Sequence, residues 1–98
     1  MTITKTQDHN ALTLFLEGRL DTTTSPQLET ELSASLDGVT HLTLDMAKLV
    51  YLSSAGLRVI LAAQKRMNKQ GKMVVRHVND TIMEVFEVTG FVDILTIE

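Results

Sequence analysis

The sequence predicts one α/β domain: a mixed, mostly parallel β-sheet with an N-terminal hairpin and about three to four helices packed on it. Two strand-like segments near the N-terminus are joined by the turn residues Asp8-His9-Asn10, and so short a turn indicates antiparallel pairing. Beyond them, strand and helix patterns alternate, which implies right-handed crossovers and parallel pairing. The 98 residues fit one domain, 1–98, without a linker, repeat or low-complexity segment.

The first half of the chain is expected to hold the hairpin and one helix. In Leu12–Leu16 the leucines occupy every second position, which predicts a strand with one buried face, and Gly18 is expected to close it. Ser25-Pro26 is a typical helix start, since serine can cap and proline suits the first helical position. Asp37-Gly38 ends this helix. Its buried stripe comprises Leu28, Leu32 and Leu36.

The second half is expected to contain three strands and two helices. Leu42–Met46 and Met73–Val78 have strand patterns, and the helix between them begins near Ser54. Because Gln64 and Asn68 fall within the apolar sector of that helix, we expect its C-terminal end to be shallow.

The last elements follow a second capping signal. Asn79 can cap a helix that Gly90 ends, and Phe91 is expected to fold back onto the helix end. Ile94–Ile97 has the pattern of a final edge strand.

Composition excludes several classes of function. A net charge of −3 is unlike that of a basic nucleic-acid-binding domain, so we expect no nucleic-acid partner. The absence of cysteine excludes disulfides and thiol chemistry. The N-terminus lacks the layout of a signal peptide, and no apolar run approaches the roughly 18 residues of a membrane span. We therefore expect a cytoplasmic protein without direct membrane insertion.

The most informative stretch is Leu49–Leu61, in which an apolar run ends in Ser53-Ser54-Ala55-Gly56 and a helical pattern begins at once. The first turn of a helix has unpaired N–H groups and partial positive charge. Such a position favours a side-chain cap, a bound anion or a phosphate on a serine.

Leu49–Leu61 resembles the signature of the STAS domain of bacterial anti-sigma factor antagonists. Gly18–Asp21, Leu42–Asp45 and Val85–Ile94 resemble other parts of the same family, so the likeness extends over nearly the whole chain. The resemblance implies a single STAS-like domain that binds an anti-sigma factor serine kinase while unphosphorylated, and so releases a sigma factor. Phosphorylation by the kinase ends the complex, and a serine phosphatase restores it.

Aligned on Gly56-Leu57, the phosphoacceptor falls on Ser54, with Ser53 as the alternative. Several members have aspartate before the acceptor and serine after it, where this chain has Ser53 and Ala55. Kinase recognition is therefore expected to differ. The partner-binding surface that the resemblance implies comprises Asp21, Thr22, Thr23, Thr24, Ser53, Ser54, Ala55, Gly56 and Arg58.

These residues also allow other interpretations. The two serines can simply cap a helix, and the Asp21 loop can be an ordinary turn. Asp45 at a strand end suggests a receiver-type phosphoaspartate, but the acidic pair and the full repeat of that fold are missing.

Chemistry in the domain itself is not expected. The three histidines are far apart in sequence, so we expect no metal site; no phosphate-cradling glycine loop exists, and neither a cofactor nor a catalytic residue is predicted. The alternative to a phosphorylated switch is a constitutive STAS subunit, or a docking module of a transporter or signalling complex.

Overall fold

A four-stranded sheet with helices against one face forms the framework, and the computed structural model describes all 98 residues. The strand order is β1-β2-β3-β4, with β1 antiparallel to β2 and the other two pairings parallel. This confirms the predicted mixed, mostly parallel sheet with its N-terminal hairpin. The elements are β1 Thr2–Asp8, β2 Ala11–Leu20, α1 Ser25–Ser35, β3 His41–Leu52, α2 Ser54–Gln70, β4 Lys72–Arg76, α3 Asp80–Thr89 and a 3₁₀ helix Phe91–Asp93.

The core lies between one face of the sheet and the three α-helices. Alternate residues of β2, β3 and β4 point into it, which is why Leu12, Leu14 and Leu16 are all buried. The other face is only partly covered and carries Thr13, Phe15 and Thr43. The helices contribute Leu28, Leu32, Ile60, Met67, Ile82 and Phe86 to a single cluster of 23 buried residues. No helix in the structure is long and apolar enough to span a membrane.

β3 is much longer than the predicted Leu42–Met46 because two bulges keep it paired with β2. The register shifts between Phe15 and Glu17 and again between Gly18 and Arg19, each time with one additional residue in β3. Gly18, at the second shift, has a φ of +100°, which favours glycine. The expectation that Gly18 closes β2 was therefore wrong, since the strand continues to Leu20.

Two helix ends differ from expectation. Ser25 does not cap α1; Thr24 occupies the N-cap position without a side-chain cap, and the Ser25 hydroxyl donates to the Asp21 carbonyl. The C-terminal end of α2 is shallow at Asn68, which is exposed, but Gln64, the other residue on which that expectation rested, is buried. The Gln70 amide donates to the carbonyls of Leu36 and Val39 at 2.7 and 2.6 Å, which draws this end against the α1–β3 connection.

The C-terminal part of the chain follows its predicted caps but not its predicted strand. Asn79 accepts from the Ile82 N–H, Gly90 ends α3 in the left-handed region, and the Phe91 ring stacks on Phe86 at 6.4 Å. The expected strand Ile94–Ile97 is reduced to one bridge between Val75 and Ile97. The strand is short because the 3₁₀ turn uses the backbone just before it.

A buried carboxylate stabilises the first bulge of β3. Asp45 Oδ1 accepts from the Ala47 N–H at 3.0 Å, and Oδ2 accepts from Arg76 Nε at 3.0 Å and contacts His77 Nδ1 at 2.9 Å. Burial by itself raises the pKa of Asp45, but its bonds to Ala47, Arg76 and His77 lower it more, so the pKa lies below its usual value. Asp45 is therefore a buried, paired anion in the fold.

Asp45→Asn should lower the free energy of unfolding at pH 7 by about 1.5–3 kcal/mol, because it removes charged hydrogen bonds. The stabilisation is present above the unfolded pKa of about 3.9 and is lost as the pH falls through the lower folded pKa. Urea unfolding at several pH values should thus show the variant and parent converging in acid. Asp37→Asn, at an exposed ion pair with Arg66, is the control and should change stability by less than about 0.5 kcal/mol. A difference that does not vary with pH would contradict this role.

Candidate functional site

The site predicted from the serine motif lies where β3 passes directly into α2. The Ser53 N–H donates to the Leu20 carbonyl at 2.9 Å, which fastens the turn to the end of β2. Ser53 has extended backbone angles, and its Oγ accepts from the Gly56 N–H at 3.4 Å. Ser53 is therefore the N-cap of α2, as the capping interpretation required of one of the two serines.

Ser54 is in a different position from Ser53. It is the first residue of α2, it is exposed, and its hydroxyl takes part in none of the side-chain hydrogen bonds of the structure. Two adjacent hydroxyls thus have different environments: one is used by the helix cap and the other is open to a second protein. This geometry favours Ser54 over Ser53 as an acceptor of a phosphoryl group.

The electrostatics of the turn suit a negative charge. α2 has 17 residues and no acidic side chain in its first turn, so the partial positive charge of its N-terminus is uncompensated. The Gly56 N–H is capped by Ser53, whereas those of Ser54 and Ala55 lie at the open end. Arg58, one turn further along, is exposed and forms no ion pair.

The loop after β2 is held by its own aspartate. Asp21 Oδ1 accepts from the N–H groups of Thr23 and Thr24 at 3.0 Å each, and Thr24 Oγ1 donates to the Arg19 carbonyl at 2.7 Å. The Thr24 N–H is the largest cause that lowers the pKa of Asp21 below its usual value. Asp21 orders the loop, while Thr22 and Thr23 remain exposed.

The parallel pairing of β2 and β3 brings this loop beside the serine turn. Leu20 and Leu52 are register partners at the ends of the two strands, so the segments that follow them leave the same edge of the sheet. The sheet thus places the Asp21 loop next to Ser54, Ala55 and Arg58. A shallow groove runs between them, lined by Thr22, Ser25, Pro26, Glu29, Ala55, Arg58 and Val59.

Gly56 lies beneath this surface. A Cβ there would stand 2.7 Å from Leu20 Cγ and 2.8 Å from Leu52 Cδ1, and both leucines are buried. Glycine therefore lets the first turn of α2 approach the ends of β2 and β3. Its place in the predicted contact surface is indirect, because it sets the height of Ser54 above the sheet.

Three residues beside the turn were not predicted as part of the site. Val50 is 62% exposed and Tyr51 is 40% exposed, because the second bulge turns them away from the core. The Arg19 guanidinium lies 4.0 Å from the centre of the Tyr51 ring, and its Nε lies 3.5 Å from Asp21 Oδ2. A sequence signal existed: the four successive apolar residues Leu49–Leu52 cannot all face one side of a regular strand.

The fold and the site together define a class of protein: a single α/β domain in which a capped helix begins at an exposed serine. The family model described as "STAS domain" matches residues 2–98. The chain belongs to the STAS domain family.

Related proteins and solved structures agree with this family assignment. The chain is 36% identical to BtrV of Bordetella bronchiseptica, named as a candidate anti-sigma factor antagonist, over 99% of this chain and 85% of that protein. It is 29% identical to the anti-sigma-B factor antagonist of Listeria monocytogenes over 96% of this chain and 84% of that protein.

The fold resembles the phosphorylated form of the Bacillus cell fate determinant SpoIIAA, with a TM-score of 0.77 and 17% identity over 99% of this chain and 91% of that one. An anti-sigma factor antagonist from Mycobacterium paratuberculosis has a TM-score of 0.88 and 21% identity over 98% and 83%. At these identities the solved structures support the fold alone.

The two serines should differ in their effect on stability. Ser53→Ala removes the N-cap and should lower the free energy of unfolding by about 0.5–1 kcal/mol, at the low end for caps because the bond is long. Ser54→Ala removes no hydrogen bond and should change it by less than about 0.5 kcal/mol. Chemical denaturation of the two variants measures this difference. Equal effects would contradict the separate roles assigned to the hydroxyls.

Gly56→Ala should destabilise the protein although it introduces the better helix former. At an unhindered helical site this change stabilises by about 0.5–1 kcal/mol, but the Cβ would clash with two buried leucines, and overpacking costs about 1–3 kcal/mol. Thermal and urea unfolding provide the test. Ala62→Gly, at an exposed position of the same helix, is the control and should cost about 0.5–1 kcal/mol. A Gly56→Ala protein more stable than the parent would disprove the close approach.

Proposed function

We propose that this STAS-domain protein is an anti-sigma factor antagonist whose switch is Ser54. Unphosphorylated, it binds an anti-sigma factor serine kinase and so releases a sigma factor; phosphorylation of Ser54 ends the complex, and a serine phosphatase restores it. The observation that carries the proposal is the exposed, unbonded Ser54 hydroxyl at the N-terminus of α2. The relatives from Bordetella and Listeria, which are named as anti-sigma factor antagonists, support it.

The fold should tolerate the phosphate. A phosphoserine carries about −1.5 to −2 charges near neutral pH. At the start of α2 this charge meets the positive end of the helix dipole, which stabilises it by about 0.3–1 kcal/mol at an exposed site. No acidic side chain of the first turn opposes it, and Arg58 is one turn away.

A partner packed over Ser54 should not tolerate the phosphate. Closing a protein surface over a doubly charged group requires that the group be desolvated or matched by new cations. A shift from mostly bound to mostly free needs only a few kcal/mol of differential affinity. One modification can therefore switch binding without a change of fold.

The proposed contact surface joins predicted and unpredicted residues. Its polar part is the loop Asp21–Thr24, the turn Ser53–Gly56 and Arg58. Its apolar part is Val50 and Tyr51, with Arg19 over the Tyr51 ring at 4.0 Å. Tyrosine and arginine are enriched among the residues that dominate binding energy, and these two are ordered before any partner arrives.

In this function the protein acts by binding, in the cytoplasm, and supplies no catalytic group. The phosphoryl transfer belongs to the kinase, for which Ser54 is a substrate. Ser53, in place of the aspartate of several members, removes a negative charge beside the acceptor, so the cognate kinase should accept a neutral residue there.

The test is phosphorylation by candidate anti-sigma kinases of the same genome in the presence of ATP, followed by peptide mass spectrometry. We expect phosphate on Ser54, retained in Ser53→Ala and lost in Ser54→Ala. Phosphate on Ser53 alone would move the switch by one residue. No phosphate with any candidate kinase would favour a constitutive STAS subunit.

Binding to the kinase identified in this way completes the test. Ser54→Asp should weaken binding by about tenfold or more, and Ser54→Ala should bind constitutively in the presence of ATP. Ser35→Asp, at the end of α1, is a control of equal charge that should leave binding unchanged. If Ser54→Asp and the parent bind equally, Ser54 is not the switch.

A further inference from the structure

A second groove lies between the C-terminal half of α2, β4 and the C-terminal segment, and shares no residue with the Ser54 surface. Its lining includes Gln64, Asn68, Gly71, Lys72, Met73 and Thr96. Gln64 is only 6% exposed, and its amide donates to Asn68 Oδ1 at 2.8 Å. Gln64 Oε1 is the one buried side-chain oxygen or nitrogen of the protein without a hydrogen-bond partner. An unpaired buried acceptor beside a groove indicates a place for a donor.

The outer edge of β4 is open at the same groove. Val75 is paired on that side, since its N–H donates to Thr96 O at 2.9 Å and its carbonyl accepts from the Glu98 N–H at 2.8 Å. Met73, two residues earlier, points its main-chain groups in the same direction, because these alternate along a strand. In the same parallel register the partners of Met73 would be the Ile94 C=O and the Thr96 N–H, but no main-chain hydrogen bond joins Met73 to the C-terminal segment. Met73 thus presents a free N–H and a free C=O.

The charge of this region selects an acidic occupant. Around this groove the second half of α2 and the start of β4 carry Lys65, Lys69 and Lys72, none of which forms an ion pair, whereas Arg66 and Arg76 are paired with Asp37 and Asp45. Lys72, on the groove itself, is exposed and forms no ion pair. A carboxylate placed beside it would meet an unpaired ammonium group.

We propose that this groove binds an extended, acidic peptide segment of a partner protein. The segment adds to the edge of β4 at Met73, where one of its residues exchanges both main-chain hydrogen bonds. A further N–H of the segment is donated to Gln64 Oε1, and an acidic side chain lies beside Lys72. This site does not depend on the function proposed for Ser54, and the two can fail separately.

The test is an NMR titration of the ¹⁵N-labelled 98-residue protein with the capped hexapeptide acetyl-Thr-Val-Glu-Val-Glu-Thr-amide. We expect saturable shifts of the backbone amides of Met73, Val74 and Thr96 and of the Gln64 side-chain amide. The same peptide with lysine in place of glutamate should bind about tenfold more weakly or not at all.

Two substitutions test the buried acceptor and the positive charge of the proposed site separately. Gln64→Met removes the acceptor, and Lys72→Glu reverses the charge; each should weaken binding by about tenfold. Gln64→Met also removes the hydrogen bond to Asn68, but relief of the unpaired buried oxygen offsets that loss, so the variant should melt cooperatively near the parent, which shows that it is folded. Lys69→Glu makes the same charge change outside the lining residues and should alter affinity by less than about twofold.

Three results would overturn the proposal. They are the absence of saturable shifts, equal binding of the acidic and basic peptides, and shifts that follow protein concentration without peptide. The last would show that a second copy of the chain covers this edge. An unchanged affinity in Gln64→Met would remove Gln64 from the site and contradict the proposal in the form given.

Discussion

Close packing of Leu20, Leu52 and Gly56 is the constraint on which the rest of the site depends. The two leucines end neighbouring parallel strands, and the missing Cβ of Gly56 lets the first turn of α2 rest on them. The bond from the Ser53 N–H to the Leu20 carbonyl closes the same junction through the main chain. Since both strands end here, the Asp21 loop and the serine turn lie side by side. Ser54 therefore rests on closely packed residues.

The long third strand brings the chain to that junction. Two bulges allow β3 to stay paired with β2 over its full length while changing the direction of its side chains. Asp45 stabilises the first bulge from the partly covered face of the sheet, and the second turns Val50 and Tyr51 outward. The two bulges thus connect the buried carboxylate of Asp45 on one face with the exposed apolar side chains of Val50 and Tyr51 beside the serine turn.

A closely packed site of this kind suits a switch that changes charge without changing the fold. The start of α2 stabilises a negative group, and the fold holds no acidic side chain in its first turn. The modification proposed for Ser54 would then act on a partner's affinity alone. The edge of β4 and the groove beside Gln64 share no residue with the Ser54 surface, so a second partner at the proposed groove would not need to cover Ser54.

Local signals in the sequence determined many of the secondary-structure elements of this protein. Strand alternation predicted the sheet, Asn79 and Gly90 predicted the bounds of α3, and the pair Ser53-Ser54 located the start of α2. The motif placed the site, because helix capping and the helix dipole act over a few neighbouring residues.

Features that depend on contacts between residues far apart in the sequence were decided only by the tertiary structure. Gln70 ties the end of α2 to the α1–β3 connection, the turn at Phe91 shortens the last strand, and the bulges expose Tyr51. The roles of Ser53 and Ser54 were likewise separated by geometry, since either residue type can cap a helix and only the coordinates show which hydroxyl does so.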